Sequence, residues 1–163
     1  MGEIFGPLYS LFESMFGESL NFFMWGYDPA TEAYTNQNVY GLVGVVTLVL
    51  VLLVLAVYYI IINHPRWCNL GSWIFTGIGT GILGAVVGWG IVYSRYSNGY
   101  IPEGLMYVMD EEGNPISVLI DPLNCLGFGF ANFIVCLLLY IGLTFIVRIW
   151  SSSAKRVPFA FFK

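Results

Sequence analysis

Three stretches of this chain contain no Asp, Glu, Lys or Arg: residues 33–63, 67–94 and 122–147. Each is longer than the roughly 20 apolar residues that carry a helix across a hydrocarbon layer of about 30 Å. No other feature restricts the fold so tightly. A chain with 10% charged and 58% apolar residues lacks the charge that keeps a soluble domain in water. The six bases and ten acids cluster between the empty stretches instead of thinning out along the chain. This pattern argues against a soluble globular domain, a disordered chain and a disulfide-stapled module.

The expected class is an all-α integral membrane protein. It has three transmembrane helices, an N-terminal amphipathic helix and a small extracytoplasmic β-hairpin loop. The expected segments are 1–38 (amphipathic helix and linker), 39–62 (first span), 72–93 (glycine-rich second span), 94–125 (loop with hairpin), 126–149 (third span) and 150–163 (tail). The first span stands far from the N-terminus behind an acidic segment. There is no basic region or small-residue cleavage site of a signal peptide, so the chain is expected to be unprocessed.

Charge sets the expected orientation. Residues 1–38 carry Glu3, Glu13, Glu18, Asp28 and Glu32 and no base, and the first loop carries only Arg66. The second loop sets Arg95 against Glu103, Asp110, Glu111, Glu112 and Asp121; the tail carries Arg148, Lys155, Arg156 and Lys163. Three crossings put the first loop and the tail on one side, which then holds five of the six bases. Lys and Arg favour the cytoplasmic side. The expectation is a cytoplasmic (inner) membrane, with the N-terminus outside and the C-terminus inside. A net charge of −4 argues against nucleic acid as a partner.

Residues 4–25 read as one amphipathic helix. Ser10, Glu13, Ser14, Gly17, Glu18 and Asn21 recur at helical spacing as a narrow polar stripe within a wide apolar arc. With no base to draw it to anionic lipid, this helix is expected to dock on a partner through Phe12, Phe16, Phe22, Phe23 and Trp25. The aromatic tail residues Phe159, Phe161 and Phe162 are expected to do the same. Between the second and third spans, apolar runs at 105–109 and 116–120 flank an Asp-Glu-Glu-Gly-Asn-Pro turn, a hairpin pattern.

Packing surfaces are written in small residues. Gly77, Gly81, Gly84 and Gly88 share one face of the second span as two linked GxxxG elements, which let helix backbones approach in lipid. Gly79 and Gly90 fall on the opposite face, so this span is expected to be central, between two neighbours. Gly127 and Ala131 form a small-residue pair suited to packing on it. Asn132, the most polar side chain in the spans, is expected to hydrogen-bond across helices.

Chemistry is sparse. The spans hold no ionisable carboxylate or base of the kind proton- and ion-coupled transporters use. His64 is the lone histidine and no CxxC is present, so neither zinc nor haem ligation is supported. Cys68, Cys125 and Cys136 read as packing thiols. No cofactor, metal or catalytic residue is expected. The expected partners are membrane lipid and either other membrane protein subunits or copies of the chain itself. The expected role is a non-catalytic subunit of a larger membrane complex. The alternative is a homo-oligomeric pore whose path is lined by Thr76 and Thr80.

Overall fold

The structure, a computed structural model, describes residues 2–34, 37–62, 64, 67, 69–110, 112–151 and 157. It opens with three short helices, α1 (Gly2–Ser10), α2 (Glu13–Phe16) and α3 (Glu18–Trp25), and a two-stranded turn, β1 (Tyr27–Asp28) with β2 (Ala33–Tyr34). Helix α4 (Val39–Ala56) continues as a π-helical turn, Val57–Ile62. Helix α5 (Leu70–Ser97) follows, then α6 (Glu103–Met106) and the strands β3 (Tyr107–Met109) and β4 (Pro115–Val118). Helix α7 (Pro122–Val147) ends in a 3-10 turn, Arg148–Trp150. Among the described residues, three helical stretches are long and apolar enough to span a membrane: Val39–Ile62, Leu70–Ser97 and Pro122–Trp150.

Each long helix starts on a side-chain cap. Asn38 Oδ1 accepts from Gly41 N at 3.2 Å, and Asn69 Oδ1 from Ser72 N at 2.8 Å. At the start of α7, Asp121 Oδ1 accepts from Asn124 N, while Asn124 Oδ1 accepts from Asp121 N, a reciprocal capping box followed by Pro122 in the first turn. These caps satisfy backbone donors that a helix start leaves open.

The hairpin is present, with β3 and β4 antiparallel and irregular at Val108/Met109. It is rooted rather than free. Leu105 and Ile120 at its base are buried in the same core as Phe23 of α3. The strands above that base expose Val108, Ile116 and Val118.

Two expectations change. The central helix is α7, not the glycine-rich α5, because α7 packs against α4, α5, α1 and α2. Gly79 and Gly90 on the outward face of α5 have no neighbouring atom within 4 Å of where a β-carbon would sit. Their side of the helix faces away from the bundle.

The amphipathic segment is likewise not one helix. It breaks after Ser10 and again at Gly17, whose φ of +89° is open to glycine and strained for other residues. Helix α1 runs alongside α4 in the same direction. Gly2 sits against Asn38, Phe5 against Gly44, and the Tyr9 hydroxyl converges with Thr47 on a common acceptor. From Asn38 to Thr47 is nine residues, a descent of about 13 Å. Helix α2 then returns along α7 to the Phe16 carbonyl, which accepts from Asn124 Nδ2 at 2.9 Å. Residues 2–17 thus form a hairpin of two short helices inserted beside α4 and α7.

Candidate functional site

The four glycines of α5 face α7. A β-carbon at Gly77 would stand 2.9 Å from the Tyr140 ring, and one at Gly81 2.8 Å from Phe133. At Gly84 it would meet Cys136 at 2.8 Å, and at Gly88 Asn132 at the same distance. The partners fall from 140 to 132 as the glycines rise from 77 to 88, the register of an antiparallel pair. The contact is intramolecular. Only glycine has room on this face.

The expected pairing of Gly127 with the second span is not what the fold contains. A β-carbon at Gly127 would overlap the Met15 carbonyl oxygen of α2. Gly129 is the residue pressed on α5, against Trp89 and the Ala85 carbonyl. Ala131 is fully buried in the core. Gly127 and Gly129 lie on different sides of α7, and periodicity alone does not say which neighbour occupies which side.

Asn132 is fully buried and joins four helices. Its Oδ1 accepts from the Tyr9 hydroxyl at 2.5 Å and from Thr47 Oγ1 at 3.0 Å, and its Nδ2 donates to the Gly84 carbonyl at 2.6 Å. One residue therefore ties α1, α4 and α5 to α7. A second junction centres on Asn21, whose Oδ1 accepts from Tyr40 at 2.6 Å and from Ser10 at 3.1 Å, and whose Nδ2 donates to Glu13 Oε2 at 2.5 Å. Trp25 Nε1 donates to Ser10 Oγ at 3.1 Å. The Tyr9 and Tyr40 rings stack at 5.4 Å and 9°, linking the two junctions, and Phe128 packs on both.

The polar stripe of the amphipathic segment is accordingly turned inward at Ser10, Glu13 and Asn21. Its aromatic residues also meet the chain itself. Phe16 and Phe23 are buried in the core, and Phe12, Phe22 and Trp25 pack against it. Phe159, Phe161 and Phe162 lie outside the described residues, as does Cys68. Within the tail, Val157 is buried and its carbonyl accepts from the Tyr59 hydroxyl at 3.4 Å. The π-helical turn brings neighbouring Tyr58 and Tyr59 both inward, stacked edge to face at 4.9 Å.

Tyr9, Tyr40 and Gly129 do not stand out from sequence alone, and Asn21 does so only as part of the polar stripe. The usable signal was Thr47, an isolated hydroxyl in the Val/Leu/Ile run of α4.

Chemically, these junctions are closed hydrogen-bond networks that tie the helices together. No buried side-chain polar atom among the described residues lacks a hydrogen-bond partner. Thr76 and Thr80 donate to carbonyls one turn back in α5, at 2.8 and 2.7 Å. Cys136 Sγ donates to the Thr80 carbonyl at 3.3 Å, and Cys125 is also buried. No group of three or more His, Cys, Asp or Glu among the described residues could hold a metal ion. No known protein family, curated protein or solved structure matches this chain.

Proposed function

We propose that this protein is a non-catalytic, three-span membrane subunit. It carries a preassembled bundle and offers its extracytoplasmic hairpin to a larger membrane complex. The observation that carries this reading is the contrast between a closed interior and an open hairpin. The glycine face and the amphipathic segment are already used within the chain, whereas β3 and β4 hold Val108, Ile116 and Val118 outward. Beyond the span ends, such apolar side chains are costly in water, and a two-stranded sheet leaves both edges unpaired. A neighbouring subunit pairing with an edge would satisfy both needs.

In this reading the N-terminus and the 94–125 loop lie outside and the tail lies in the cytoplasm. The α1–α2 hairpin then enters the outer half of the bilayer instead of resting on its surface. Its non-helical bend keeps its backbone hydrogen-bonded, with Phe12 N donating to the Tyr9 carbonyl and Met15 N to the Phe12 carbonyl, both at 2.9 Å, which lowers the cost of irregular backbone at that depth. Ile4, Leu11 and Met15, all exposed, would meet lipid.

The test is site-specific photo-crosslinking from Ile116 in the native membrane, with Leu53 on the outward face of α4 as the comparison position. A discrete heavier adduct from Ile116, containing a different protein and absent from Leu53, supports the subunit reading. An Ile116 probe that captures only lipid or water, in a chain that runs as a folded monomer, sinks it.

A further inference from the structure

Arg95 is the one base on the side that carries all ten acids. It stands in the last turn of α5, half-buried, with its guanidinium carbon 5.2 Å from the centroid of the Tyr100 ring. It lines a cleft whose other walls are Phe23 of α3, Gln37, Val39 at the start of α4, and Tyr100. It makes no ion pair with a described carboxylate, and its guanidinium has no hydrogen-bond acceptor among the described residues.

A guanidinium carries five N–H donors in a planar fork. The Tyr100 ring steadies the cation through its π face and accepts none of them, which leaves the fork open to a bidentate oxyanion. Gln37 adds an amide at the rim, while Phe23 and Val39 supply apolar walls. We propose that this cleft binds the phosphodiester of a phospholipid headgroup, with Arg95 as its principal ligand.

Free phosphate shares the recognised chemistry, but the field decides between the two sources. Ten carboxylates on this side repel a dissolved anion. A lipid phosphate is delivered in the plane of the bilayer at high local concentration, and its glycerol and acyl portion fits the apolar walls. The assignment rests on the membrane reading above, which places the end of α5 at headgroup depth.

The full chain, delipidated in a neutral sugar detergent, is titrated with three probes: a short-chain phosphatidylglycerol, a galactolipid of the same acyl length, and inorganic phosphate. Bound molecules are counted by native mass spectrometry. One phosphatidylglycerol per chain is expected, with neither other probe bound at matched concentration. Arg95→Gln should weaken phosphatidylglycerol binding about tenfold or more, the scale of a lost charge-assisted contact. That substitution removes a base from the side where bases are disfavoured, so insertion is not penalised.

Galactolipid binding as tight as phosphatidylglycerol in the unaltered chain overturns the proposal whether or not the variant folds. Undiminished binding by a helical Arg95→Gln chain does so too. Inorganic phosphate binding as well as the lipid overturns the lipid assignment. Extraction of the chain from membranes by alkaline carbonate would instead defeat the membrane reading itself.

Discussion

The Tyr9 hydroxyl donates to Asn132 Oδ1 at 2.5 Å, joining residues 123 positions apart inside a closed core. Tyr9→Phe keeps the ring stacked on Tyr40 and removes only this donor, while Thr47 still satisfies the acceptor. The expected cost is about 1 kcal/mol. Asn132→Leu strands the Tyr9 and Thr47 hydroxyls together and should cost about 2–3 kcal/mol. Thermal unfolding in one detergent orders the two variants, and equal melting temperatures would contradict a hub role.

Glycine position predicts opposite outcomes along α5. Gly84→Ala pushes a methyl group into Cys136 and should destabilise by about 1–3 kcal/mol. Gly79→Ala meets open space and should be neutral or stabilising by up to about 1 kcal/mol, because Ala is the better helix former. Should Gly79→Ala prove the more damaging in a monomeric preparation, the outward face of α5 must be packed on something.

Gly127→Ala sets a methyl group against the Met15 carbonyl, a backbone atom that cannot step aside as a side-chain end can. Helix α2 should lift from α7 and strain the Asn124 contact to the Phe16 carbonyl. Hydrogen exchange should speed up at residues 13–17, with little change in the α5–α7 pair. Unchanged exchange there would argue against the inserted hairpin.

The tip of the β3–β4 hairpin titrates. Asp110 Oδ1 accepts from Asn114 N at 2.7 Å and from Glu112 N at 2.9 Å. Hydrogen bonding from the Asn114 backbone leads the effects that hold its carboxyl below the usual carboxylate range. A depressed folded-state pKa contributes order above the unfolded value and loses it as pH falls through the folded one. Amide shifts of Glu112 and Asn114 should therefore move together at a pH below that of an ordinary Asp. Asp110→Asn should remove the transition, and a midpoint at or above the ordinary value would refute the turn geometry.

Three helices long and apolar enough to span a membrane were legible because burying a charge in hydrocarbon is costly, so such helices appear as charge-free windows wherever they pack. The glycine face of α5 was legible for a related reason: 3.6-residue periodicity places Gly77, Gly81, Gly84 and Gly88 on one side. The hairpin at 107–118 was legible from its turn residues. All of these are local in sequence.

Which helix stands at the centre, and what each small residue touches, was not local. Gly127 reads as a partner for the second span, yet it receives Met15 of α2, because a helix face specifies a shape and not its occupant. The polar stripe of residues 10–21 reads as one narrow edge of a single amphipathic helix. The break after Ser10 and the positive φ at Gly17 turn it onto Tyr40, while Tyr9 reaches Asn132. Periodicity assumes an unbroken helix, and here the break decides which face is inside. The sequence by itself determined the solvent each segment can tolerate; only the tertiary structure decided how the polar groups are satisfied, since hydrogen bonds between residues 123 apart depend on where the backbone turns.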